Sequence, residues 1–208
     1  MFKNLKLDID AAMANDPAAR SRFEVWLTYS GVRALQLHRR ANFFYRHKMK
    51  LIARIISQNA KWRTGIEIHP AAKIAPGVFI DHGAGVVIGE TAEIETGVVI
   101  YQGVTLGGTG KDKGKKRHPT IKKNCVLSAG CKVLGGITIN ENCKIGAGSV
   151  VLSDIPADST VVGIPGKVVK TKGKKVVKDL EQEKRDPIID EINALKEKIS
   201  KLEKELNK

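Results

Sequence analysis

From Ile66 to Val151 aliphatic residues recur at every sixth position: Ile68, Ile74 and Ile80, then Ile88, Ile94, Ile100 and Leu106, then Ile121, Leu127, Val133, Ile139, Ile145 and Val151. Two positions before most of them stands a second small or aliphatic residue, as at Ala72, Val78, Val86, Ala92, Val98, Val104, Cys125, Cys131, Ile137, Cys143 and Ser149. A period of six is neither the 3.6 of a helix nor the plain alternation of a lone strand. It predicts a parallel β-helix of hexapeptide repeats, three to each turn of about 18 residues, in which every repeat forms one short side of a triangular coil. Positions i and i−2 share the inward face because strand side chains alternate.

The rhythm breaks twice. Ile80 to Ile88 is a step of eight, and Leu106 to Ile121 a step of fifteen, so the second break extrudes about nine residues beyond a regular repeat. A solenoid takes insertions as loops off its edge, and such loops often carry function. The first break holds Asp81-His82-Gly83-Ala84-Gly85, and the second runs from Gly107 to His118. Each contains a histidine.

The flanks read as helix. Residues 1–65 form an N-terminal helical segment. Asn15-Asp16-Pro17 looks like a helix start, with Asp16 as N-cap and Pro17 at the first helical position. From Ser21 to about Lys61 only Gly31 interrupts a pattern of apolar, aromatic and basic residues, and Thr64-Gly65 ends it. The β-helix occupies residues 66–169, its repeats finishing near Pro165. Residues 170–208 are a Lys-rich, flexible linker followed by a coiled-coil-like helix. There Ile188, Ile192, Leu195, Ile199, Leu202 and Leu206 step by four and three, a heptad stripe. The fold class is mainly β, with helices at both ends.

Composition narrows the function. Aromatic residues make up only 5%, which suits a coil core of Ile, Val, Ala and Cys. No apolar run approaches the roughly 18 residues of a membrane span and no signal peptide opens the chain, so a cytoplasmic protein without membrane contact is expected. Cys125, Cys131 and Cys143 all fall on inward positions and are read as core fillers rather than metal or redox groups. The net charge of +14 raises nucleic acid as a partner. The lysines cluster at 111–123 and 167–184 with no aromatic residues between them, which favours a solvated loop and tail, or a phosphate-bearing small ligand, over nucleic acid. His38 and His47 lie in the basic helical stretch and are expected to be solvated, while His69 belongs to a repeat turn.

Ile68-His69-Pro70-Ala71-Ala72-Lys73-Ile74, Asp81-His82, Gly89-Glu90-Thr91-Ala92, Val104-Thr105-Leu106-Gly107-Gly108-Thr109-Gly110 and Arg117-His118 together resemble the serine O-acetyltransferase family over about residues 16–170. The resemblance implies a left-handed coil, a homotrimer with sites between subunits, acetyl-CoA as co-substrate and no metal. It implies that His82 takes the proton of the serine hydroxyl, since an imidazole titrating near neutrality suits that step. Glu67 aligns with the family's acidic residue that orients this base, a position usually held by Asp. His118 matches the second active-site histidine, Arg117 the residue that pairs with the substrate carboxylate, and Asp81 and Asp16 the carboxylates that take the ammonium group. Gly108, Thr109 and Ala129 match CoA-contacting positions, and Lys167 is placed to meet a phosphate. L-serine and acetyl-CoA are the implied small-molecule partners, with cysteine a candidate feedback inhibitor.

The chain departs from the family's longer members in its short N-terminal helical segment, which favours a trimer over a hexamer. Its tail ends Leu206-Asn207-Lys208 rather than in isoleucine, so docking to the next pathway enzyme by that route is not expected. Other readings are a hexapeptide acetyltransferase for homoserine or a sugar, a γ-class carbonic anhydrase, for which His69, His82 and His118 have the wrong spacing, and a non-catalytic trimeric scaffold.

Overall fold

The computed structural model describes residues 2–110, 114–175, Leu195, Lys198 and Ile199. Contacts divide the chain into two units, Met1–Lys174 and Lys175–Lys208. In the second unit Leu195, Lys198 and Ile199 are helical. The rest of the predicted linker and heptad stripe lies outside the described residues.

The first unit opens with four helices: α1 (Phe2–Asn15), α2 (Arg22–Thr28), α3 (Ser30–Arg46) and α4 (Lys50–Thr64). The coil follows. Its first turn is β1 (Glu67–Ile68), β2 (Lys73–Ile74) and β3 (Phe79–Ile80), and its second is β4 (Val87–Ile88), β5 (Glu93–Ile94) and β6 (Val99–Ile100). The third is β7 (Thr105–Gly107), β8 (Thr120–Ile121) and β9 (Val126–Leu127), and the fourth β10 (Lys132–Leu134), β11 (Thr138–Ile139) and β12 (Lys144–Ile145). Then come β13 (Val150–Val151), β14 (Ser159–Val162), β15 (Lys167–Thr171) and β16 (Lys174–Lys175).

Every third strand joins one sheet. Sheet A runs β1-β4-β7-β10-β13, sheet B β2-β5-β8-β11, and sheet C β3-β6-β9-β12-β14, extended by β15 and β16. Pairing is parallel until β15 turns back antiparallel on β14. The two sequence breaks leave the register intact. Ile68 pairs with Ile88, two residues further on than the regular step from Val133 to Val151, and Leu106 pairs with Val133, nine further on. Both insertions are absorbed at edges, so the inward column continues through them.

That column is the core. Ile88, Ile100, Leu106, Ile121, Leu127, Ile139 and Ile145, with Val86, Val98 and Val104 at i−2 positions, are at most 1% exposed. Full burial of each such aliphatic side chain is worth about 1.5–3 kcal/mol. The three cysteines share the column as free, buried thiols. The Cys143 sulfur beside it, and then burial, pushes the Cys125 thiol up, and burial pushes Cys131 up to about 12.

The edge between sheets B and C has no insertion. Its turns pass through Gly77, Gly97, Asn124, Asn142 and Asp158, all in the left-handed region, where Gly, Asn and Asp sit at least cost. Asn142 Nδ2 donates to Asp158 Oδ1 at 2.9 Å, tying successive turns.

The helices close the open end of the coil and cover one face. Ala34 and Leu35 of α3 complete the column. Gly31 lies so close to it that a Cβ there would stand 2.1 Å from the Ile80 carbonyl oxygen. Ile9, Ala12, Val25 and Val32 pack on Phe79 and Val99, outward residues of sheet C. Ser57 Oγ donates to the Ile68 carbonyl at 2.7 Å and Asn42 Nδ2 to the Pro70 carbonyl at 2.7 Å. Asp8, buried, accepts from the Gly77 N–H at 3.0 Å and pairs with Arg39.

Four expectations change. Asp16 does not cap a helix: it follows α1, and α2 is capped by Ser21, whose Oγ accepts from the Glu24 N–H at 3.2 Å. Asp16 is instead occupied by Tyr29 and Ala18 across a turn. The basic helical stretch breaks at Tyr29 and again at His47–Met49, where Lys48 adopts φ 62°, and Gly31 lies inside the first turn of α3. His38 is not solvated but 5% exposed, because its face of α3 turns onto the coil. Residues 170–175 are not a loose linker, since β15 and β16 extend sheet C through them.

Candidate active site

Two edges of the prism carry the candidate site residues. At the edge from sheet C to sheet A, β3 runs into Asp81-His82. His82 adopts φ 57°, a region that non-glycine residues rarely enter, and such strain gathers at functional positions. The conformation turns the ring away from the core, leaving the side chain 73% exposed, with Nε2 3.9 Å from Asp81 Oδ2. Ser30 Oγ donates to the His82 carbonyl at 3.2 Å, so the start of α3 fixes this turn.

Asp16 reaches the same edge from the α1–α2 connection. Its Oδ1 accepts from the Ala18 N–H at 2.8 Å and its Oδ2 from the Tyr29 hydroxyl at 2.5 Å. The Tyr29 hydrogen bond, and next that of Ala18, holds the Asp16 carboxyl below the usual carboxylate range, with His82 close enough to add to the effect. The same hydrogen bond pushes Tyr29 up to about 12. Asp16 is therefore a fixed anion. Further along this edge, Gly103 N–H donates to Ala84, Gly130 N–H to Gln102 and Gly148 N–H to Ala129, at 2.8 to 2.9 Å. Ala129 thus lies two turns beyond His82 on one line.

At the edge from sheet A to sheet B the second loop returns through Arg117-His118. His118 is 8% exposed. Thr91 organises it: Thr91 Oγ1 accepts from the His118 N–H at 3.0 Å and the Arg117 N–H at 3.1 Å. His118 Nδ1 receives the Thr91 N–H at 3.2 Å and lies 3.0 Å from Thr91 Oγ1. A ring nitrogen that accepts carries no hydrogen, so in neutral His118 the proton sits on Nε2. Burial, and next the Arg117 charge, lowers the pKa of His118, which favours the neutral ring. The ring lies over Gly89, where a Cβ would stand 1.9 Å from Cδ2, and only glycine fits. A Cβ at Gly108 would stand 3.2 Å from Nε2, which places that nitrogen beside the Gly107-Gly108 strand end. Arg117 Nη2 donates to Glu90 Oε2 at 2.8 Å, which steadies the guanidinium.

The structure therefore gathers Asp16, Asp81, His82 and Ala129 on one edge, and Gly108, Arg117 and His118 on another. Thr109 sits with the second set, its Oγ1 against the Gly135 turn. Sheet A separates the two histidines within a chain. Lys167 opens β15 on sheet C. Glu67, on β1, is engaged at Oε2 by Lys61 Nζ at 2.6 Å. Thr91, Glu90, Tyr29 and Ser30 had no role in the sequence reading. Gly89-Glu90-Thr91-Ala92 was visible as a motif, but Tyr29 and Ser30 carried no signal beyond a helix break.

The family model described as bacterial transferase hexapeptide (six repeats) matches residues 118–153. The serine acetyltransferase of Bacillus pumilus is 57% identical over 206 residues, covering 99% of this chain and 94% of that protein. Among solved structures, the serine acetyltransferase of Vibrio cholerae is 42% identical with a TM-score of 0.80, over 82% of this chain and 66% of that one. A serine acetyltransferase in complex with CoA is 38% identical with a TM-score of 0.76, over 80% of this chain and 69% of that one. Another in complex with cysteine is 38% identical with a TM-score of 0.80, over 83% and 67%. With this identity running through nearly all of both chains in the Bacillus pair, the chain belongs to the serine acetyltransferase family.

Proposed function

We propose that this chain transfers the acetyl group of acetyl-CoA to the hydroxyl of L-serine, and that its site is built from two chains, the His82 edge of one against the His118 edge of the next. The observation that carries this reading is the opposite character of the two histidines. One is open to solvent among carboxylates, and the other is buried as a neutral donor beside a guanidinium. A closed ring of three, each using one edge against its neighbour's other edge, joins them three times over. The coil winds left-handed, as the family resemblance implies, and the protein works in the cytoplasm.

In this site His82 accepts the proton of the serine hydroxyl as its oxygen attacks the thioester carbonyl. The imidazolium then returns that proton to the departing CoA sulfur, so O-acetylserine and CoA leave with His82 restored. His118 Nε2–H is a fixed hydrogen-bond donor toward the substrate. Arg117 binds the carboxylate, and Asp16 and Asp81 bind the ammonium group. Gly108, Thr109 and Ala129 leave room along the seam for the pantetheine arm, with Lys167 towards a phosphate. Glu67, held at Oε2 by Lys61, is the acidic group that orients His82. Cysteine has the same carboxylate and ammonium groups as serine, so it competes for the Arg117, Asp16 and Asp81 subsite.

The test is a thiol-release assay on mixed chains. His82→Ala and His118→Ala proteins, each inactive alone, are unfolded together and refolded. Random mixing restores about a quarter of wild-type sites if each site takes one histidine from each of two chains. No recovery in a mixture that reassembles rejects the shared site. Recovery with homoserine but not serine rejects the substrate.

A further inference from the structure

The stretch from Val25 to Ile66 holds a charge that neither edge uses. It contains nine Lys and Arg residues and no Asp or Glu. Two find carboxylates outside it, Arg39 at Asp8 and Lys61 at Glu67. Among the described residues, Arg40 and Arg46 of α3 have no acidic partner. Crowded like charges repel and attract a counter-charge.

A cleft of about 790 Å³ opens on this surface, lined by α3, Asn4 of α1 and Ile74 of β2. Arg40 and Arg46 line it, together with the rings of Phe43 and Phe44 and the amide of Asn42. Arg39 lines it too but is held by Asp8. No residue of the two edges takes part. His38 stands in its wall, 5% exposed, its ring bonded to the Ala72 carbonyl and its Nδ1 without a partner. Cationic rim and apolar wall thus converge on one concavity of ligand size.

We propose that this cleft binds a small organic anion, its phosphate or carboxylate head held by Arg40 and Arg46 and its apolar body laid against Phe43, Phe44 and Ile74. The site is separate from the acetyl-transfer seam and does not depend on how that seam works.

Calorimetric titration with phenyl phosphate tests it, with inorganic phosphate as the charge-only probe and CoA present in excess to occupy the acetyl-CoA site. Phenyl phosphate is expected to bind once per chain and more tightly than inorganic phosphate. The Arg40→Gln/Arg46→Gln protein should bind it about tenfold or more weakly, while keeping its thermal midpoint and its turnover of serine, since both side chains are exposed. Equal binding by the double variant, or loss of all binding once CoA is added, overturns the proposal. Equal affinity for the two probes removes the apolar half of the site. If the double variant is unstable, Phe43→Ala, which removes an exposed ring lining the cleft, must still weaken phenyl phosphate more than inorganic phosphate.

Discussion

The two histidine edges come from the same repeat, yet they place the same side chain in opposite states. His82 lies within an insertion of two residues, stands in a left-handed turn, and leaves its ring in water. His118 closes an insertion of nine and is clamped by Thr91 over a bare glycine. A short loop can only tip a ring outward, whereas a long one can fold back and bury it. The proposed division of labour follows from loop length: the open ring is the one assigned to exchange protons, and the buried ring the one assigned to hold its proton and point it.

The largest expected effect strikes the open ring. His82→Ala should lower kcat by about 10²–10⁴-fold, the worth of a positioned general base, without shifting thermal stability, because the side chain is exposed. A loss below tenfold in thiol release would break the contrast between the edges. Next is Arg117→Gln, which should raise the KM for serine by about 10–100-fold, the range for a lost charge-assisted pair, and leave the KM for acetyl-CoA unchanged. If both constants rise together, Arg117 is shaping the edge rather than reading the carboxylate.

Burial as the source of the second ring's neutrality can be gauged at His38, whose pKa burial pushes down to about 4. The unfolded chain holds that proton more tightly than the folded one. The folded state therefore keeps its full advantage above the ordinary imidazole pKa and loses it as pH falls towards 4. Between pH 7 and 5 the loss should be about 2 kcal/mol. Urea midpoints at the two pH values measure it, and His38→Gln should remove that share of the loss. The smallest effect falls on the clamp. Thr91→Val should cost about tenfold in kcat/KM, near the value of one or two neutral hydrogen bonds, with Thr91→Ser restoring most of it. Nitrogen NMR of His118 should find the proton on Nε2 in the parent and a mixture of tautomers in Thr91→Val.

The coil was legible because its signal is redundant. Each of thirteen repeat positions repeats the same demand for an inward aliphatic residue, and an insertion interrupts the count without changing it. His82, Arg117 and His118 stood out for a related reason, since each lies where that count fails. What did not show is what tertiary contact decides. Asp16-Pro17 has the form of a helix cap, but the Tyr29 hydroxyl lies within reach and takes the carboxylate. His38 sits among basic residues that read as a wet face, yet that part of α3 lies against the coil. Thr91 looks like any other turn residue until Arg117 and His118 are seen to bond to it. The ion pair of Glu67 with Lys61 joins the last turn of α4 to the first strand, a meeting that periodicity does not reveal.

The uninterrupted edge of glycine, asparagine and aspartate turns between sheets B and C has its own consequence. It acts as a keel: because successive turns there stay in register, the other two borders can gain or lose residues without the stack losing alignment. Exchange of acceptor selectivity among such coils should therefore proceed by grafting whole loops at those borders, with the keel left untouched.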